Sequence, residues 1–122
     1  MKLRIRGNSL RIRVSQGELA ELSSTGFASD SVRFSPETEL SYCLEVRPDS
    51  GLEASFSDAS IKVVLPQVDV TRWIEPEQVS IEGKQALGDG EVLRILVEKD
   101  FTCLAPREGE DESDLFANPS ES

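Results

Sequence analysis

Between residues 2 and 13 apolar and basic positions alternate on either side of a Gly-Asn pair. Leu3 and Ile5 are interleaved with Lys2, Arg4 and Arg6, then Leu10 and Ile12 with Arg11 and Arg13. Period two marks a half-buried strand, and Gly7-Asn8 supplies the positive-φ residues of a tight hairpin turn. Pairing across that turn sets Ile5 opposite Leu10, Arg4 opposite Arg11, Leu3 opposite Ile12 and Lys2 opposite Arg13. Apolar meets apolar throughout, so a slip of one residue would turn every apolar side chain to solvent. Basic also meets basic, and opposed like charges cost roughly 0.2–1 kcal/mol per pair. An acidic group is therefore expected over this face.

Ser15-Gln16-Gly17-Glu18 has the spacing of a capping box, in which hydroxyl and carboxylate satisfy each other's backbone amides. Leu19 and Leu22 follow on one face and Gly26 can close the helix in a left-handed conformation, which predicts a helix over about 16–24. Period two then returns. Val32 and Phe34 alternate with polar residues, as do Leu40, Tyr42, Leu44 and Val46 after Pro36. Residues 52–57 and 60–65 form a second hairpin across Asp58-Ala59, with Ala54 opposite Val63 and Phe56 opposite Ile61. Asp69 is placed to cap a short helical turn that buries Val70, Trp73 and Ile74 and stops before Pro76. Val79 and Ile81 mark a strand, and after a Gly-rich loop residues 91–98 read as a central one, apolar on both faces apart from Arg94.

These elements predict an α+β, mainly β fold of about seven to eight strands. Its expected form is an antiparallel sheet or small partly closed barrel with one N-terminal helix and a short helical turn. Residues 1–106 read as a single domain and 107–122 as an acidic C-terminal tail too polar to bury. No internal repeat is strong enough to indicate duplication.

Composition narrows the chemistry. The chain has 122 residues and no histidine, which excludes imidazole general bases, Ser-His-Asp and Cys-His nucleophile systems and Cys₂His₂ zinc sites. Two cysteines, Cys43 and Cys103, cannot make a Cys₄ site. Gly88-Asp89-Gly90 lacks the Lys-Ser/Thr of a phosphate-binding loop. No cofactor is expected. No apolar stretch approaches the roughly 20 residues of a membrane span, and the basic start alternates with apolar residues instead of preceding an apolar block. A cytoplasmic protein with reduced thiols is the expectation. The net charge of −10 is uneven: residues 1–14 carry five cations and no acid, whereas 107–122 carry six acids against one arginine. Oppositely charged ends suggest that the two meet.

The opening from Met1 to Arg13 resembles that of a family of small bacterial proteins of unknown function, as does the close from Glu98 to Leu104 with Glu110-Asp111-Glu112, Asp114, Phe116, Asn118 and Pro119. The resemblance implies no activity, cofactor or site residue. It does imply that the acidic tail belongs to the native protein.

Three classes of function remain. In the first, a non-catalytic interaction module or homo-oligomer, Glu110, Asp111, Glu112 and Asp114 neutralise Arg4, Arg6, Arg11 and Arg13. Phe116 then anchors in a surface pocket of the same molecule, a homodimer mate or another protein partner. In the second, a small-molecule-binding or enzymatic β-barrel, Lys99 or Asp100 acts as general base and Cys103 as nucleophile, beside a pocket lined by Arg47, Arg94, Glu45 and the Asp100 region. A divalent cation at Asp100 and Cys103 lacks any established ligand spacing, so no metal is assigned. The plainer reading ends the strand at Glu98-Lys99 and makes Cys103 a small buried filler. In the third class the basic ribbon binds nucleic acid, but the net charge of −10 and a ribbon without aromatics argue against it.

Overall fold

The computed structural model describes residues 1–101 and 116. The opening hairpin, β1 (Lys2–Ile5) and β2 (Ser9–Val14), has the predicted register from Lys2↔Arg13 to Ile5↔Leu10, and Gly7 takes the positive φ of its turn. α1 (Gln16–Thr25) starts on the expected capping box. The Glu18 N–H donates to the Ser15 hydroxyl, the Ser15 N–H donates to Glu18 Oε1, and Gly26 ends the helix at φ 79°. β3 (Phe27–Ser35) and β4 (Thr38–Arg47) form the next hairpin, β5 (Glu53–Ser57) and β6 (Ser60–Pro66) the third, α2 (Gln67–Trp73) follows, and β7 (Ser80–Gly88) with β8 (Glu91–Lys99) form the fourth.

Three expectations are corrected, the simplest being that for Ile74, expected to face inward and 43% exposed. Instead of one antiparallel sheet or a partly closed barrel, the strands form two four-stranded mixed sheets, in the orders β1-β2-β8-β7 and β3-β4-β6-β5. Each sheet is two hairpins joined by a parallel pair, β2 with β8 and β4 with β6. The parallel pairs arise because the chain does not turn back tightly after β4. The Pro48–Leu52 connection carries it past the neighbouring position to the sheet edge, and β6 then returns beside β4. The third correction concerns Asp69, which lies within the first turn of α2 and not at its cap. Pro66 holds the cap position without a side-chain hydrogen bond, so Asp69 acts on the helix dipole alone.

The connectivity maps onto itself when residues 1–47 and 53–99 are exchanged. β1-β2-α1-β3-β4 corresponds to β5-β6-α2-β7-β8, and each half contributes one hairpin to each sheet. With this alignment the sequence similarity becomes visible: Ser9, Leu10, Arg11, Ile12, Val14, Gln16, Glu18, Leu19 and Leu22 correspond to Ser60, Ile61, Lys62, Val63, Leu65, Gln67, Asp69, Val70 and Trp73. An internal structural repeat is thus present where the chain alone had not shown one. α2 is shorter than α1 because Pro76 stands where α1 continues to Thr25, and proline disfavours a helical residue before it.

The inward faces of both sheets share one core. Ile12, Val14, Ile81, Ile95 and Val97 come from one sheet and Tyr42, Leu44, Ile61, Val63 and Leu65 from the other, closed by Leu19 and Leu22 of α1 and Val70 and Trp73 of α2. Two edge contacts tie the sheets together. The Gln85 carboxamide of β7 accepts from the Ala54 N–H at 2.7 Å and donates to the Ala54 carbonyl at 3.0 Å, taking the part of a strand against β5. On the other edge the Tyr42 hydroxyl donates to the Met1 carbonyl. The outward faces of the two sheets remain, and they differ.

Candidate functional site

Strand alternation fixes which side chains of the β1-β2-β8-β7 sheet point outward. Ile12, Val97 and Ile81 are buried, so Arg11 and Arg13 of β2, Arg94, Leu96 and Glu98 of β8, and Ser80, Glu82 and Lys84 of β7 lie on the other side. The ladder arranges this face in rows. Lys2, Arg13, Glu98 and Ser80 form one; Arg4, Arg11, Leu96 and Glu82 the next; Ser9, Arg94 and Lys84 the third. Six cations face two acids.

The acid expected over the opposed cations is Glu98. Its Oε1 accepts from Arg11 Nε and Arg13 Nε, each at 2.7 Å, and lies 2.6 Å from Arg11 Nη2. Asp100, buried at the end of the same strand, holds Lys2 Nζ at 2.9 Å through Oδ2. Lys2, Arg4, Arg11 and Arg13 line a cavity of about 200 Å³. Next to it a wider hollow of about 500 Å³ runs past Arg11, Arg94, Lys84, Glu82 and Leu96. Among the described residues no ion pair engages Arg4, Lys84 or Arg94.

The repeat provides an internal control. At the positions of the second sheet that correspond to Lys2, Arg4, Arg11, Arg13, Lys84 and Arg94 stand Glu53, Ser55, Lys62, Val64, Ser31 and Ser41. Only one of the six is a cation. Ser31, Ser41, Ser60 and Ser57 make a continuous row across that sheet, with Cys43 beside Lys62 in the next. The fold therefore does not require positive charge at these positions. Opposed cations cost roughly 0.2–1 kcal/mol per pair, and one sheet carries Lys2 against Arg13 and Arg4 against Arg11 where the other has none.

Of the other residues singled out from the sequence, Arg6 lies in the hairpin connection, its N–H donating to the Ser9 carbonyl. Phe116 is held by its N–H, which donates to the Asp100 carbonyl at 2.8 Å. Its ring meets Phe101 edge-on at 5.9 Å, and Lys99 Nζ stands 5.4 Å from its centroid. It borders a hollow of about 410 Å³ with Gln16, Leu19, Ala20 and Ser23 of α1 and Ile74. Glu110, Asp111, Glu112, Asp114 and Cys103 lie outside the described residues. Lys99 is buried and donates to the Glu75 carbonyl at 3.0 Å; burial pushes its amine below the usual lysine range, partly offset by Glu75 and Glu77. Arg47, Glu45 and Arg94 do not share a pocket, which corrects the barrel reading. Arg47 pairs with Glu45 on the outer face of one sheet, and Arg94 lies on the outer face of the other.

Lys84 and Arg94 belong to the basic face, and sequence reasoning had not placed them there. Strand parity along β7 and β8 was the available signal, but it needs the β2-β8 pairing to bring those strands beside the ribbon. Among the described residues no cluster of three or more metal-ligating side chains occurs, and no helix is long and apolar enough to cross a membrane.

Residues 1–120 match the model of a family of unknown function. No curated protein and no solved structure gives a significant match.

Proposed function

The chain belongs to DUF7009, a family of unknown function from which no activity carries over, and we propose that it is a non-catalytic recognition module. Its working surface is the outer face of the β1-β2-β8-β7 sheet, which takes an acidic polypeptide. The observation that carries this reading is the contrast at six corresponding positions, all cations on one sheet and only Lys62 a cation on the other, whose outer face otherwise carries Arg33 and Arg47. A repeated scaffold that keeps opposed cations on one sheet alone retains them for something other than folding.

The chain's own acidic segment is the first candidate occupant. Glu110, Asp111, Glu112 and Asp114 precede Phe116, whose backbone is tied to Asp100, and Asp100 in turn holds Lys2 at the corner of the basic face. An extended chain covers up to about 3.3–3.6 Å per residue, so the six residues 110–115 can span roughly 20 Å. Rows on the face are two residues apart, roughly 6.6–6.8 Å, so that reach covers all three. In this reading Phe116 is the anchor and Arg4, Arg6, Arg11 and Arg13 receive the carboxylates, within one molecule or between two. Linkage by a short tether favours the intramolecular form at low concentration.

The test is thermal melting of the full chain beside a variant carrying Glu110→Gln, Asp111→Asn, Glu112→Gln and Asp114→Asn, at about 20 mM and 500 mM salt, with molar mass by light scattering. Docking predicts that the variant melts lower at low salt and that the difference closes at high salt. Equal melting of both proteins at both salts would refute docking of this segment. A concentration-dependent dimer lost in the variant would place the contact between two copies.

A further inference from the structure

The second, larger question about the basic face is which anion its tightest feature fits. We propose that the cavity between Lys2, Arg4, Arg11 and Arg13 binds a phosphate monoester dianion. This rests on the reading of the face as a surface for anionic partners, and names the group it selects.

Geometry is the first argument. Glu98 accepts from the Nε of both arginines through a single oxygen, Oε1. A guanidinium has five N–H donors in a rigid plane, so holding Nε, and in Arg11 also Nη2 at 2.6 Å, fixes the fork while leaving the remaining terminal N–H groups for a ligand. Those terminal groups match the several oxygens of a phosphoryl group, which accept from more than one donor at once. The side chain that supplies this grip is itself only 13% exposed, while Arg11 and Arg13 remain 34% and 39% exposed and so reachable.

Charge is the second. Among the described residues the three arginines of the cavity, Arg4, Arg11 and Arg13, have one carboxylate between them, Glu98, while Lys2 is held by Asp100. The balance of +2 equals the charge of a phosphate monoester above its second ionisation, near pH 6. A lone carboxylate would leave half of it uncompensated. Size and lining are the third. About 200 Å³ accommodates a phosphoryl group with a few waters, at about 30 Å³ each, and none of the described lining residues is an aromatic that could stack a base. The described lining thus offers charge for a phosphoryl group and no platform for a base. At the corresponding place of the other sheet stand Glu53, Ser55, Lys62 and Val64, so the cage is built once.

The phosphoryl group can arrive free or on a phosphorylated side chain, and the acidic segment of the chain itself would compete for the same cations. The experiment is a titration of the full-length protein, followed through the Nε–Hε resonances of Arg11 and Arg13, at about 20 mM salt. Five probes are used: inorganic phosphate, a short phosphoserine peptide with neutral flanks, the same peptide unphosphorylated, a peptide of the 107–122 sequence, and a short duplex oligonucleotide. The expected result is saturable shifts of both resonances with phosphate or phosphopeptide and none with the unphosphorylated form. Affinity should fall at least tenfold in Arg4→Ala and in Arg13→Lys, which keeps the charge but loses the fork. It should also fall between pH 7.5 and 5.5 as the dianion takes up a proton.

A phosphopeptide that binds tenfold tighter than inorganic phosphate identifies a partner-borne group; equal affinities identify a free ligand. Binding of the 107–122 peptide without binding of either phosphate probe overturns the phosphoryl assignment and leaves the acidic-partner reading standing. If no probe shifts these resonances, the phosphoryl assignment falls, and the docking reading is decided by the melting comparison above. A duplex oligonucleotide that binds below the concentration of any phosphopeptide overturns the assignment in favour of a nucleic-acid surface.

Discussion

Substituting Glu98→Gln removes the negative charge that Arg11 and Arg13 share while keeping the side chain's shape. Three short contacts join Glu98 Oε1 to the two guanidinium groups, at 2.6–2.7 Å. Ion pairs at such exposures contribute about 0.5–1 kcal/mol each, discounted for solvent screening. Arg11 and Arg13 are two residues apart on one strand face, so their charges lie roughly 7 Å from each other. Repulsion at that separation is about 0.6 kcal/mol in bulk water and about 2.4 kcal/mol at an effective dielectric of about 20. With both arginines more than a third exposed, the lower figure applies. The loss expected at low salt is therefore about 1–2 kcal/mol, or a fall in melting temperature of about 4–8 °C for a domain of this size. In 1 M salt, where screening acts over about 3 Å, at least half of it should disappear. The assay is urea unfolding of the wild type, Glu98→Gln, Arg13→Gln and the double variant at low and high salt. The double variant should be more stable than the sum of the single losses predicts, because it removes the repulsion along with the pair. Additive losses, unchanged by salt, would refute the claim that Glu98 exists to hold two arginines together.

Gln85→Ala removes both hydrogen bonds to the Ala54 backbone and should cost about 1–3 kcal/mol with an unchanged urea slope. Trp73→Phe should cost only about 1–2 kcal/mol in the same unfolding assay. Val79 O accepts from Trp73 Nε1, but it also accepts from the Lys99 N–H, so the loss is one of volume and not of an unpaired carbonyl. Burial raises the Cys43 thiol above its usual range, with Lys62 lowering it in part and Glu45 adding to it. Its folded pKa therefore exceeds the unfolded one, so its contribution to stability is complete below about pH 9 and is lost as pH rises through the raised value. Tyr42 is raised by burial in the same direction, and Lys99 is lowered and acts oppositely. Comparing Cys43→Ala with wild type isolates the thiol: urea midpoints between pH 7 and 10.5 should fall less steeply in the variant, and identical alkaline slopes would contradict the shift.

Much of the local structure was legible without the fold because it depends on neighbours along the chain. The hairpin register of β1 and β2 follows from apolar-to-apolar pairing across Gly7-Asn8, and α1 from the reciprocal bonds of Ser15 and Glu18. The β5-β6 register follows likewise across Asp58-Ala59, two residues that adopt positive φ. Even the need for an acid over the ribbon could be derived, since Lys2 against Arg13 and Arg4 against Arg11 are fixed by a two-residue turn.

The acid's identity could not be derived. Glu98 reaches Arg11 and Arg13 across more than eighty residues, and only the parallel pairing of β2 with β8 puts it there. Period two gives the side on which each residue of a strand points and is silent about which strand lies beside it. For the same reason Lys84 and Arg94 gave no sign of belonging to the basic face, and one antiparallel sheet was as consistent with the pattern as two mixed ones. The repeat was hidden for a related cause. Apolar residues of similar size replace one another freely in a core, so Leu22 can correspond to Trp73 and Leu10 to Ile61 with little identity between them. The chain by itself determined its hairpins, its first helix and the sign of its charge. Tertiary structure decided which hairpins meet, because sheet order is settled by the burial of whole faces against each other and not by any short run of residues.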